Sequence, residues 1–315
     1  MSLSSRIYFP PLGLLCFISL TSSWSYLEPG GTIDWSSKNN TCDETFQSPI
    51  DIITSEAIDK RFPPFHMEHY STTADGARIV NNGHTVEVHL NQSPAPTLSG
   101  GGLDGIYTAV QFHFHWGSSD NYGSEHFLDG NSFPMEMHIV HYSQKYPNIS
   151  EALTKKNGLA VLAIFFEVTN CNNTEFQCII KKLPSLRNPG FPTRVYCNLL
   201  KLLPKNFDDF FRYSGSLTTP PCSESVVWTV YPKAVKISSW QINQLRTQLI
   251  RIYDGDRTVL VNNFRGLQSR NNRRIYKSII DSGATLPRQF SQLVFLLVMI
   301  LSVANLELFS SAGVI

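Results

Sequence analysis

The sequence predicts a single β-dominated domain organised round a large central sheet. Three observations carry that expectation. Short runs rich in β-branched and aromatic residues recur between turn residues across residues 24–280. One of them, Gly158-Leu-Ala-Val-Leu-Ala-Ile-Phe-Phe166, is apolar throughout, as a strand covered on both faces should be. Helical periodicity is scarce, and no internal repeat, low-complexity tract or linker divides the stretch. With 315 residues, 42% of them hydrophobic, the chain can bury one large core or two modest ones.

In chain order, strands are expected at Arg78–Val80, Thr85–Leu90, Ala109–Trp116, Met135–Tyr142, Leu159–Val168 and Val226–Tyr231. Leu199–Leu203 reads as a short helical turn. The best helix spans Ser238–Ile252, where Ser238 or Ser239 can cap and Ile242, Leu245 and Leu249 recur at helical spacing.

The two ends read as processing segments. Arg6, the apolar stretch Ile7–Leu20 and the small residues Thr21-Ser-Ser23 have the layout of a signal peptide over residues 1–23. Residues 281–315 combine small residues at Ser282-Gly-Ala284, a polar spacer and the apolar run Leu293–Leu306. That is the pattern of a GPI-anchor signal with Ser282 as the lipidation site, and the run is short for a spanning helix. Four N-x-S/T sequons, at Asn39, Asn91, Asn148 and Asn172, agree with passage to the cell surface. Beyond the leader, Cys42, Cys171, Cys178, Cys197 and Cys222 allow two disulfides with one thiol left over. Charged residues make up 16% and the net charge is +1, which argues against a nucleic-acid partner. The basic run Arg265–Lys277 carries a single aromatic, Tyr276, and reads as a solvated surface.

The chemistry concentrates in three histidines. Side chains on a strand alternate faces, so His113 and His115 project together while Phe112, Phe114 and Trp116 face a core. A neighbouring Met135–Tyr142 strand can bring up His138. Three imidazoles with no fourth protein ligand are the signature of a catalytic zinc site that keeps a position open. Glu136, two residues from His138, and Gln111, two from His113, share those faces and can accept the rings' other N–H groups.

Gln111-Phe-His-Phe-His-Trp-Gly117, Gly123-Ser-Glu-His126 and Ser216-Leu-Thr-Thr-Pro-Pro221 occur together and in order. On these motifs the chain resembles the α-carbonic anhydrases from Trp24-Ser-Tyr26 to about Arg273, and its format is similar to the extracellular GPI-anchored members. The resemblance implies a catalytic domain over 24–280 with a twisted, mostly antiparallel sheet of about ten strands. It implies Zn2+ on His113, His115 and His138 at the base of a conical cleft, hydrating CO2 to bicarbonate. Zinc lowers the pKa of its bound water to about 7 in carbonic anhydrases. Asn263, in Asn262-Asn-Phe-Arg265, would offer a backbone carbonyl to the remaining ligand. Thr218 would orient the attacking oxygen, with Glu125 accepting its proton, since an ionised carboxylate only accepts. Thr219 would contact bicarbonate.

By the same resemblance, Val140, Val161, Leu217, Val226 and Trp228 form the apolar wall where CO2 sits. His84 is the expected proton shuttle, an imidazole being suited to that task near neutral pH. Glu87 stands where asparagine is common, so it can alter the water chain or the His84 pKa. Cys42 and Cys222 match the disulfide of secreted members, while His126 and His141 are expected to make structural hydrogen bonds. The sequence departs from the family at Gly266 and in the Asn170–Arg194 loop. The rival from another class is a silent carbonic-anhydrase-like binding domain, which typically lacks one of the zinc histidines. A metallohydrolase is a weaker rival, because its open zinc site usually includes a carboxylate ligand.

Overall fold

The computed structural model describes residues 24–26, 35–38, 40–71 and 77–279. The expected leader, the tail with Ser282 and the sequon at Asn39 lie outside the described residues.

A twelve-stranded mixed sheet organises the fold. Its main path runs Thr193–Arg194, Arg78–Asn81, Val86–His89, Tyr107–Trp116, Met135–Ser143, Leu159–Thr169, Val226–Ser238, Phe211–Gly215, Tyr276–Ser278 and Ile58–Lys60; Phe65–Glu68 and Thr97–Gly100 pair beside it. Most pairings are antiparallel. Two are parallel: Leu159–Thr169 with Val226–Ser238, and Tyr276–Ser278 with Ile58–Lys60. The first explains the unbroken apolar run, since every side chain from Leu159 to Phe166 is buried, on one face or the other.

The sheet separates two apolar clusters. Phe112, Phe114, Trp116, Met135, Met137 and Ile139 enter the larger one, while Val140, Val161, Ala163, Val226 and Trp228 enter the smaller one. The alternation expected along the histidine strand therefore holds: its aromatics face a core and its imidazoles face the other way.

Element ends differ from the sequence expectation where pairing overrides local pattern. The helix is Ser239–Gln248, with Ser238 and Gln241 forming a capping box. It stops short of Ile252 because Ile250–Tyr253 pairs with Asp256–Val259 across a turn at Gly255. The Val226 strand runs on to Ser238, its parallel register shifting between Ile164 and Phe166, past Pro232, which has no N–H to donate. Leu199–Leu202 is a 3-10 turn. Short strands such as Phe211–Gly215 and Tyr276–Ser278 carry too few residues to show alternation, and they take strand form from their neighbours.

Candidate metal centre

The histidine cluster is assembled by register. In the antiparallel pairing of Tyr107–Trp116 with Met135–Ser143, His113 lies opposite His138 and His115 opposite Glu136. Donor nitrogens of His113, His115 and His138 fall within 4.8 Å of one another. His115 and His138 are buried, and His113 is half-buried.

Each ring has one nitrogen already committed. His113 Nδ1 bonds Gln111 Oε1 at 2.8 Å, His115 Nδ1 bonds the Asn263 carbonyl at 2.7 Å, and His138 Nε2 bonds Glu136 Oε1 at 2.7 Å. All three partners are acceptors, so these nitrogens donate. The opposite nitrogens, His113 Nε2, His115 Nε2 and His138 Nδ1, then carry bare lone pairs. Two of them, His115 Nε2 and His138 Nδ1, stand 3.2 Å apart. Lone pair facing lone pair at that distance is repulsive unless a cation lies between them, so the donor set fits a borderline-soft metal such as zinc. Burial, then the neighbouring imidazoles, hold His113 well below its ordinary range and His115 at about 3, which keeps both neutral and able to ligate. His126, Glu136 and His138 also lie close together. There, however, Glu136 Oε1 accepts from His126 Nδ1 and His138 Nε2 at 2.7 Å each, so the group is already closed by hydrogen bonds.

Glu136 is the hub of this region. Its Oε2 accepts the backbone N–H groups of Glu125 and His126, both at 2.8 Å. Burial by itself would raise its pKa, but the imidazoles of His126 and His138 outweigh that and hold it well below the carboxylate range. Behind it, His126 Nε2 meets Tyr213 Oη at 2.6 Å, and Tyr213 donates to Ser48 Oγ at 2.9 Å. The structural role expected for His126 is thus to support Glu136. His141 bonds the Ala160 carbonyl at 3.0 Å and the Tyr70 hydroxyl.

Glu125 reaches the cluster from a loop held at Gly123. A Cβ there would fall 2.0 Å from the Pro134 carbonyl oxygen, and its φ of +150° suits glycine alone. Glu125 Oε1 accepts the Arg265 N–H at 2.8 Å. Its Oε2 lies 3.8 Å from His138 Nδ1 and has no hydrogen bond of normal geometry. Burial pushes the Glu125 pKa well up, and the adjoining Thr218 hydroxyl then draws it back. A divalent cation beside the carboxylate reverses the effect of burial. Thr218 is buried and Thr219 half-buried. Their loop is tied to the N-terminal segment by the Cys42–Cys222 disulfide, as the resemblance implied. Arg265, expected in a solvated surface run, is instead buried, as is Arg273; it donates to Gln47 Oε1, Ser48 O and Cys42 O and so clamps the same junction. Nothing local marks these residues, which lie more than two hundred positions apart.

Val140 stands opposite Val161, and Val161 opposite Trp228, while Val226 pairs with Leu159. Leu217 packs on the same cluster, so all five expected wall residues come together, with the Trp228 ring 4.8 Å from His138. His84 is half-buried, its ring stacked on Trp24 at 3.8 Å and its carbonyl accepting Asn263 Nδ2 at 2.9 Å. Burial, then Arg251, lowers its pKa to about 4. Glu87 is not among the causes; it accepts from Asn82 Nδ2 at 3.1 Å and lies 3.4 Å from His89. A second disulfide, Cys178–Cys197, closes the divergent loop, and Cys171 is the free thiol among the described residues.

A profile of the eukaryotic-type carbonic anhydrases matches residues 30–279. Human carbonic anhydrase 12 is 37% identical over 264 residues, 82% of this chain and 73% of that relative. Human carbonic anhydrase 7 is 36% identical over 258 residues, covering 81% and 97% respectively. Human carbonic anhydrase 6 is 36% identical over 280 residues, covering 85% and 87%.

Proposed function

Because the chain belongs to the eukaryotic-type carbonic anhydrase family, we propose that it is a zinc enzyme catalysing the reversible hydration of CO2 to bicarbonate and a proton at the extracellular face of a membrane. The observation that carries this reading is the set of three imidazole nitrogens left bare by the hydrogen bonds of their own rings, with no fourth protein ligand closing the set among the described residues. When bound, zinc supplies a Lewis acid and acidifies its water into the neutral range.

The chain's own residues have separable tasks. Gln111, Glu136 and the Asn263 carbonyl hold the rings in the tautomers that leave the convergent nitrogens free. The wall of Val140, Val161, Leu217, Val226 and Trp228 offers an apolar niche to CO2, a molecule with no net dipole. Thr218 adjoins Glu125, and a hydroxyl that donates to that carboxylate presents only lone pairs to the cleft, so it selects a partner that itself carries a proton. Thr219 contacts bicarbonate in this reading. His84 accepts the departing proton. Half-buried and stacked on Trp24, with a pKa near 4, it is a weak base at neutral pH, and exposing the ring would bring it back towards its ordinary value.

Support for an extracellular setting is chemical. Two disulfides suit an oxidising compartment. Asn91, Asn148 and Asn172 are exposed, as glycan acceptors must be. Asn148 and Asn172 use their carbonyl oxygens locally, not the amide nitrogens that carry a glycan. The leader over 1–23 and lipidation at Ser282 complete the reading. Release of the protein from cells by phosphatidylinositol-specific phospholipase tests the anchor, and retention would favour a spanning tail.

Stopped-flow CO2 hydration by the purified, zinc-loaded protein tests the activity. Hydration well above the uncatalysed rate is expected, with zinc and activity lost together in His113→Ala. Stoichiometric zinc without hydration would leave the silent binding domain as the correct reading.

A further inference from the structure

A cavity lined by Arg212 carries positive charge that its surroundings do not answer. Arg212 pairs across the sheet with Thr229, the residue after Trp228, so it projects from the face opposite the apolar wall. The cavity has a volume of about 350 Å³, within the range of small-ligand sites. Lys60, Arg212, Arg273 and Arg274 line it against one carboxylate, Asp104, which is already bridged to Lys145.

Arg212 is the anchor of this charge. It is only 6% exposed. Its Nη2 donates to Thr229 Oγ1 at 3.0 Å, while its Nε has no partner. Among the described residues no carboxylate pairs with it. The rings of Phe62, Phe65 and Phe210 lie 5.3, 5.8 and 5.1 Å from the guanidinium carbon, a favourable cradle that leaves the charge in place. Burial lowers its pKa only to about 10, so it stays protonated at neutral pH. A buried charge without a counter-ion is costly, and a guanidinium is the side chain best matched to a forked oxyanion.

Lys60 and Arg274 are exposed at the mouth of the cavity. Arg273 is largely committed to the carbonyls of Ser269 and Arg270. The surplus of positive charge favours a multiply charged ligand over a singly charged carboxylate or bicarbonate, and a phosphate monoester carries close to two negative charges at neutral pH.

We propose that this cavity is a binding site for a phosphate group, with Arg212 as the buried counter-charge and Lys60 and Arg274 guiding the ligand in. The phosphate is either free in solution or the headgroup of a lipid. Tyr276, in the last described strand, lines the cavity, so a chain tethered through Ser282 would hold the site close to headgroups. The site shares no residue with the zinc cluster and does not depend on the catalytic reading.

Calorimetric titration of the full chain with inorganic phosphate and with soluble dibutyryl phosphatidic acid tests the proposal. Saturable binding of one equivalent is expected. Tighter binding of inorganic phosphate assigns a free oxyanion, and tighter binding of the lipid assigns a headgroup. Lys60→Glu/Arg274→Glu should weaken the binding by about tenfold or more. Arg212→Gln should abolish it, with CO2 hydration unchanged in both variants. Should the Arg212 variant fail to fold, the exposed pair decides. The proposal is overturned if neither probe binds, or if the Lys60/Arg274 variant binds as the parent does.

Discussion

Glu136→Gln is the substitution that asks most of the metal centre. The native carboxylate accepts four hydrogen bonds: the Glu125 and His126 N–H groups at 2.8 Å on one oxygen, and His126 Nδ1 and His138 Nε2 at 2.7 Å on the other. Glutamine keeps the volume but replaces one oxygen with an NH2 group that cannot accept. Whichever way the amide turns, two of the four bonds are lost and donor faces donor. With roughly 1.5–3 kcal/mol for each charge-assisted bond, the loss is about 3–6 kcal/mol, a large part of a typical domain's stability. If the amide nitrogen faces the imidazoles, His138 can relieve the clash only by moving its proton to Nδ1, the nitrogen that stands 3.2 Å from His115 Nε2. That proton occupies the lone pair the metal needs. Zinc affinity should therefore fall by about 10–100-fold as stability drops. Competition of the purified variant against a chromophoric chelator measures the first, and urea denaturation of the metal-free protein measures the second. Unchanged zinc affinity in a folded variant whose crystal structure places the amide nitrogen against the imidazoles would refute the tautomer argument, because His138 would then ligate whatever its partner.

Three further outcomes follow from the same structure. His141 is buried with a folded pKa of about 4 against 6.5 unfolded, so its stabilisation is present above pH 6.5 and lost as pH falls through 4. That loss is about 3 kcal/mol, and metal-free His141→Gln should show a flatter urea midpoint over that window than the parent. Removing the Cys42–Cys222 bridge, which spans 180 residues, should cost about 5 kcal/mol, against about 3 kcal/mol for Cys178–Cys197, which spans 19. Equal midpoint shifts for the two Cys→Ser pairs in chemical denaturation would contradict the loop-length account. Gly123→Ala should destabilise by roughly 3–5 kcal/mol and misplace Glu125, since its Cβ would meet the Pro134 oxygen at 2.0 Å. A variant with parental stability and hydration rate would show that the loop gives way instead.

Much of the centre was legible along single strands. Alternation put His113 and His115 on one face with Gln111, and His138 on one face with Glu136; all of these keep the expected side in the structure. The Ser238 cap was legible because a helix start depends on a few adjacent residues, and the structure adds Gln241 as its reciprocal partner. The helix end at Gln248 was not, because the strand that displaces it needs Asp256–Val259 as partner. The His84 environment was also hidden. Its shift arises from burial and Arg251, whereas the neighbouring Glu87, the suspect in the sequence, turns to Asn82 and His89.

The sequence by itself determined a β-rich chain, the faces its strands present, and the identity of the three imidazoles with their nearest acceptors. These follow from covalent geometry, because a strand's period of two holds whatever the strand pairs with. Only the tertiary structure decided which nitrogen of each ring is left bare, since that depends on acceptors as distant as the Asn263 carbonyl. It alone joined Glu136 through His126 and Tyr213 to Ser48, paired Cys178 with Cys197, and buried Arg212 without a counter-ion. Each of these is a contact between segments that meet only once register and packing are settled, and local sequence carries no record of a partner that folding brings from far along the chain.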